Sequence, residues 1–151
     1  MQLENMQLLS TAHHLLAPET IEWRDLEDQK KPVPFLNGER VYRATHPNHP
    51  SAVWVRSSKA AYDWAAALSR ALSDEYTLRY GKIHASSLLL SVLDRAPDNI
   101  PVGIFSPPPQ CMPVHCKIEG DSIAAYRNYY RIEKARFATW KAPRETPEWM
   151  K

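Results

Sequence analysis

Between Pro50 and Gly81 one stripe of residues recurs at helical spacing: Ala61, Trp64, Ala65, Leu68, Leu72, Tyr76 and Arg79. Proline suits the first turn of a helix and glycine the position just past its end, so the two residues frame the element. Ser57-Ser58 divides it into a short first helix and a long second one. Three further stretches read as helices. Leu3, Met6, Leu9, Ala12 or His13, and Leu16 recur every three or four residues from Met1 to Leu16, where Pro18 stops the run. Ile83 to Leu93 is apolar on Ile83, Ser87, Leu90 and either Leu89 or Leu93. Asp121 or Ser122 caps a last helix that runs to about Trp140, with Ile123, Tyr126, Tyr130 and Phe137 facing inward.

The connections are polar and stiff, since the chain has 13 Pro against 4 Gly. Asn37-Gly38 marks a turn. A short hairpin across it, with Phe35 on one side and Val41 and Tyr42 on the other, is one reading; a plain ordered loop is the preferred one. The segment Pro97 to Gly120 is too rich in proline for regular structure. The expected class is all-α: a compact helical domain of four to five helices with long Pro-rich loops. At 151 residues and 44% hydrophobic content it reads as a single domain, 1–151, with an extended tail from about 142.

No apolar run approaches the ~20 residues that cross a bilayer, and the first residues lack the pattern of a secretion signal. The expectation is a cytoplasmic protein, without a membrane partner. A net charge of +2 permits a nucleic-acid partner only where charges segregate on the surface.

The segment Thr45 to His84 interleaves Arg56, Lys59, Arg70, Arg79, Lys82 and three histidines with Trp54, Trp64, Tyr76 and Tyr80. Cations neutralise phosphates and rings offer stacking surfaces, so the pattern suits a polyanion with exposed bases. A core helix with solvated charges is the competing reading. His46 and His49, just before a helix, can bind phosphate or metal, or hydrogen-bond loop carbonyls, which is preferred. In AYRNYYRIEKARFATWK, Arg127, Arg131 and Lys134 share a face, followed by Lys141, with Glu133 near enough to pair part of the charge. Cys111 and Cys116 read as reduced thiols. With His115 between them they can hold a metal, but the spacing matches no standard zinc arrangement and two more ligands would have to come from elsewhere, so no metal is assigned. Glu4 stands among Met and Leu, where desolvation would raise its pKa and suit it to general acid work; an exposed glutamate at a frayed helix start is the alternative.

Five blocks taken in order, LENMQLLSTAHH, ATHPNHPSAVWVRSS, EYTLRYGKIH, AYRNYYRIEKARFATWK and PEWM, resemble a family of small phage-encoded proteins, the pyrimidine-dimer DNA glycosylases of the endonuclease V type. Together they make up 58 of the 151 residues, spread from Leu3 to Met150. In such an enzyme an α-amino group attacks the sugar C1′ and a helix glutamate assists base departure and strand cleavage. The resemblance implies Glu4 as that glutamate. It implies DNA contacts from Arg56, Arg79, His84, Arg127 and Lys134, Trp149 as a ring near the lesion, damaged duplex DNA as partner, a bacterial host cell as location, and no cofactor.

Members of the family carry a segment before this helix, with an Asp-Lys-His group and the amine terminus, and this sequence starts after it. The recorded start is then internal, or the nucleophile is lost, or the Met1 amine acts instead. An amine nucleophile must be unprotonated near neutral pH, which an α-amine manages better than lysine. Two rivals stand beside the repair enzyme. One is a non-enzymatic protein that binds nucleic acid or a protein partner. The other is a small-molecule enzyme built on His46, His49, His84 and Glu75.

Overall fold

Helix α1 spans Gln2–Leu16 in a computed structural model that describes residues 1–140 and 144–151. Its Asn5 amide closes onto the Met1 carbonyl at 3.0 Å, and the 3-10 turn Pro18–Thr20 follows its end. Contacts divide the chain into two compact units, Met1–Phe105 and Ser106–Lys151.

In the first unit α1 packs on α2 (Pro50–Val55) and α3 (Lys59–Tyr80). Met6, Leu9, Ala12, Val55, Tyr62, Ala65, Ala66 and Leu93 form the centre of the core. The side chains of Ala61, Ala65, Ala66 and Ser69 are small, so α3 can lie close to α1. Asn5 Nδ2 then donates to the Ala65 carbonyl at 2.7 Å and to the Ser69 hydroxyl at 2.5 Å. This polar seam turns both helices relative to the expected apolar stripes: Gln2 and Asn5 are buried, while Leu3 and Trp64 are 40% and 41% exposed. Farther along α1, His13 Nε2 lies 3.0 Å from the Tyr62 hydroxyl and 3.2 Å from the Arg95 carbonyl. A carbonyl only accepts, so Nε2 carries the proton.

Helix α3 ends as its sequence requires. Gly81 takes the left-handed conformation, φ 64°, and its amide donates to the Thr77 carbonyl at 2.8 Å. The helix expected from Ile83 to Leu93 is instead a 3-10 turn, Ala85–Leu89, followed by one α turn, α4 (Leu90–Leu93). Ile83 is 67% exposed; Leu93 is fully buried in the core, and Leu89, Leu90 and Val92 pack half-buried against it.

The all-α expectation needs correction. Strands β1 (Ile21–Arg24), β2 (Val33–Leu36) and β3 (Glu39–Arg40) form an antiparallel sheet in the order β1-β2-β3. Ile21 stands opposite Leu36 and Arg24 opposite Val33. The hairpin across Asn37-Gly38 forms, with both residues at positive φ, as a tight two-residue turn demands. The preferred loop reading is overturned. Its pattern was weak because β1 buries only Ile21 and Pro34 lies within β2, a residue that argues against a strand.

In the second unit, Asp121 caps α5 (Ser122–Tyr129), its carboxylate accepting from the Ala124 amide at 2.9 Å. The α geometry then gives way to a π turn, Tyr130–Lys134, and a 3-10 turn, Ala135–Phe137, so the helix expected to reach Trp140 stops short. Ile123 and Phe137, expected inside, are 68% and 62% exposed. The Pro-rich segment is tied to α5: Ser122 Oγ donates to the Pro108 carbonyl at 2.6 Å and the Tyr126 hydroxyl to the Pro109 carbonyl at 2.9 Å. Lys141, and the start of the expected tail from about 142, lie outside the described residues; the chain closes with the turn Glu148–Met150.

Candidate functional site

Two constellations emerge, one in each unit. In the first, Gln2 Nε2 donates to Ser73 Oγ at 2.8 Å and to Ser87 Oγ at 3.3 Å. That clasp sets the start of α1 against the last turns of α3 and the Ala85–Leu89 turn. The side-chain oxygen of Gln2, Oε1, is buried there and finds no hydrogen-bond partner among the described residues. Glu4, on the opposite side of the first turn, is exposed and ion-paired with the Met1 amine. Its carboxyl is held below the usual range, first by the hydrogen bond to that amine, then by a backbone hydrogen bond; the His84 ring adds a smaller lowering. The expectation of a desolvated glutamate with a raised pKa is therefore wrong: Glu4 lies on the exposed side of α1, with Met1 and Leu3 beside it 71% and 40% exposed. Glu4 is an ionised carboxylate, suited to accept a proton or stabilise a cation rather than to donate.

His84 caps the Ala85–Leu89 turn, its Nδ1 accepting from the Ser86 amide at 3.1 Å, which leaves the proton of the neutral ring on Nε2. Its ring meets Tyr76 edge-on at 4.9 Å, and Tyr76 meets Tyr80 at 4.7 Å. Arg79, on the same turn of α3, is ion-paired with Glu75 at 2.6 Å. Glu4, Arg79 and His84 thus share one end of the unit. Arg56 does not join them; it donates to the Pro47 carbonyl at 2.6 Å, holding the loop before α2. His49 caps α2 and His46 pairs with the Thr45 hydroxyl at 2.8 Å, so both serve the loop. Lys59 and Arg70 are paired with Asp63 and Asp94. Much of the positive charge expected to grip phosphate from this unit is therefore already matched by carboxylates.

The second unit differs. Residues 106–151 hold eight Lys and Arg against five Asp and Glu, a formal +3, so residues 1–105 carry −1. The Arg127 guanidinium lies 5.7 Å from the centre of the Trp149 ring, and Tyr130 meets the same indole edge-on at 6.2 Å. Arg131 fixes the tail by donating to the Trp149 carbonyl at 2.6 Å. Lys134 Nζ sits 5.2 Å from the Tyr129 ring, and Arg136 4.4 Å from the Phe137 ring. The three positions assigned here from the sequence, Arg127, Lys134 and Trp149, belong to one cation–ring face. Tyr129 and Arg136 complete it and were not singled out; the alternation in YRNYYRIEKARF was the signal. Glu133, expected near this charge, turns to His115 instead, 2.7 Å away.

The chain matches no protein-family model, no curated protein and no solved structure. Among the described residues no helix is long and apolar enough to cross a membrane.

Proposed function

We propose that this protein binds damaged or locally unpaired DNA through the cation–ring face of residues 106–151. The observation that carries the reading is the set of ring and cation pairs Arg127–Trp149, Lys134–Tyr129 and Arg136–Phe137 on one short stretch. Guanidinium and ammonium groups bind phosphate, and rings stack on any base that has left the duplex. A base lifted from the stack costs a few kcal/mol, less when damaged, which directs such a face to lesions.

On the plan of the pyrimidine-dimer glycosylases, Glu4 would act as an ionised base beside an amine nucleophile. The amine attacks the sugar C1′, the base departs, and the carboxylate takes the proton whose loss breaks the strand. The non-enzymatic reading has its own support in the solvent exposure of Glu4, because a hydrated carboxylate is a weak catalyst. Ultraviolet-irradiated plasmid separates them. Nicking, with a borohydride-trapped adduct whose amine is mapped by peptide mass spectrometry, supports the enzyme. Salt-sensitive DNA binding without either leaves a binding protein. Affinity indifferent to salt defeats both.

A further inference from the structure

We infer that His115, Cys116 and Glu133 form a binding site for a divalent metal of the zinc class, independent of the nucleic-acid reading. The ligand atoms of the three residues all lie within 4.8 Å of one another, and His115 Nε2 and Glu133 Oε1 are 2.7 Å apart. Ligands around a tetrahedral zinc stand roughly 3.3–3.8 Å from each other, given bonds of about 2.0–2.3 Å. Side-chain movements on the order of 1 Å would therefore admit the ion where a proton now joins the imidazole and the carboxylate.

Three features of the fold hold the donors in place. His115 and Cys116 are consecutive in the 3-10 turn Val114–Cys116, which is closed by the Cys116 amide on the Pro113 carbonyl at 3.0 Å. Asn128 of α5 donates to the Cys116 carbonyl at 3.3 Å, fastening that turn to the helix. Glu133 lies in the π turn Tyr130–Lys134. A π turn changes the direction in which every later side chain leaves the helix, and such turns gather at functional sites. Glu133, within that turn, faces His115.

The donor chemistry selects the ion. One thiolate, one imidazole and one carboxylate suit zinc better than calcium or magnesium, which prefer oxygen alone. Thiolate and carboxylate together cancel a double positive charge. Cys116 is buried, whereas the His115 and Glu133 side chains are 58% and 40% exposed, so the ion would enter from their side. Three protein ligands leave a fourth position for water or an added ligand, the arrangement of an open site. The metal–sulfur bond forms as the thiol proton leaves to solvent, so affinity must rise with pH.

Cobalt(II) added to the reduced, metal-free protein tests the site directly. One equivalent should produce a thiolate-to-metal absorption band and tetrahedral ligand-field bands, both erased by zinc. Cys116→Ser should remove the thiolate band, and Cys111→Ser should keep it. His115→Gln and Glu133→Gln should each weaken binding by more than the roughly 10–100-fold that changes outside a coordination shell cost. Glu133 is solvent-facing, so its glutamine variant keeps the test valid if Cys116→Ser disturbs the interior; circular dichroism checks that. Absence of a thiolate band, a band that disappears with Cys111→Ser and survives Cys116→Ser, or zinc affinity unchanged by Glu133→Gln and His115→Gln would each overturn the assignment.

Discussion

Tyr62 and His13 meet inside the first unit with their polar atoms 3.0 Å apart, and the Tyr62 hydroxyl donates onward to the Leu93 carbonyl at 2.8 Å. Burial pushes the His13 pKa down to about 4 from 6.5, the Arg95 carbonyl opposing and the His14 charge adding to the shift. The unfolded chain therefore binds a proton that the folded one refuses. Stability from this residue is complete above pH 6.5 and drains away as pH falls toward about 4; the loss is on the order of 3 kcal/mol. His14, lowered chiefly by burial, acts in the same sense. Urea unfolding from pH 7.5 to 4 should show the midpoint falling through that window, and His13→Gln should flatten the curve.

Tyr62→Phe removes a hydroxyl that serves both His13 and the Leu93 carbonyl. The carbonyl is left buried without its donor, so the variant should lose about 1–3 kcal/mol. A lowered denaturant midpoint at unchanged slope is the expected signature.

Asn5 joins α1 to α3 through two hydrogen bonds from one amide. Asn5→Ala should cost about 1–3 kcal/mol. Asn5→Asp should cost more at neutral pH, since a carboxylate cannot donate to the Ala65 carbonyl, and should recover in part as the acid protonates. Equal stability of the two variants at every pH would contradict the seam described above.

DNA affinity should respond differently to the two kinds of side chain on the second unit. Arg127→Ala and Lys134→Ala should each reduce the slope of log affinity against log salt by about 1. Trp149→Ala should leave the slope alone and weaken single-strand binding by about 1–3 kcal/mol. Fluorescence anisotropy at several ionic strengths reads both.

Glu4→Gln keeps the size of the side chain and removes its charge. If Glu4 is the base of a strand-cutting reaction, nicking of irradiated plasmid should fall by roughly 100-fold or more while DNA affinity holds. Nicking at the native rate would remove Glu4 from the chemistry.

The helices legible in the sequence were those with local punctuation. Pro50, Ser57-Ser58 and Gly81 sit where α2 and α3 begin, part and end because proline, serine and glycine act on their own backbone. Features decided by distant partners were not legible. β1 gains its identity from pairing with β2 across a polar stretch. The buried polar face of α1 depends on how closely α3 approaches, which no periodicity records. Of the site residues, Arg127 lies beside Trp149 and Lys134 reaches the same run of rings through Tyr129 and Tyr130; the alternation of aromatic and basic residues that carries them is visible along the chain. The partnership of Glu133 with His115 rests on a π turn, and the i, i+3 and i, i+4 rules used to read that helix assume it away.

Phe105 has a use beyond closing the first unit. Its ring meets those of Trp54 and Trp64 at 6.3 and 6.4 Å, whereas Trp149 has Tyr130 and Arg127 for neighbours. Each half of the molecule thus carries indoles in a setting of its own. Replacing Trp140 and Trp149 by phenylalanine would leave the emission to the first unit, and comparing its melt with that of the native protein would report whether the two halves unfold together or in turn.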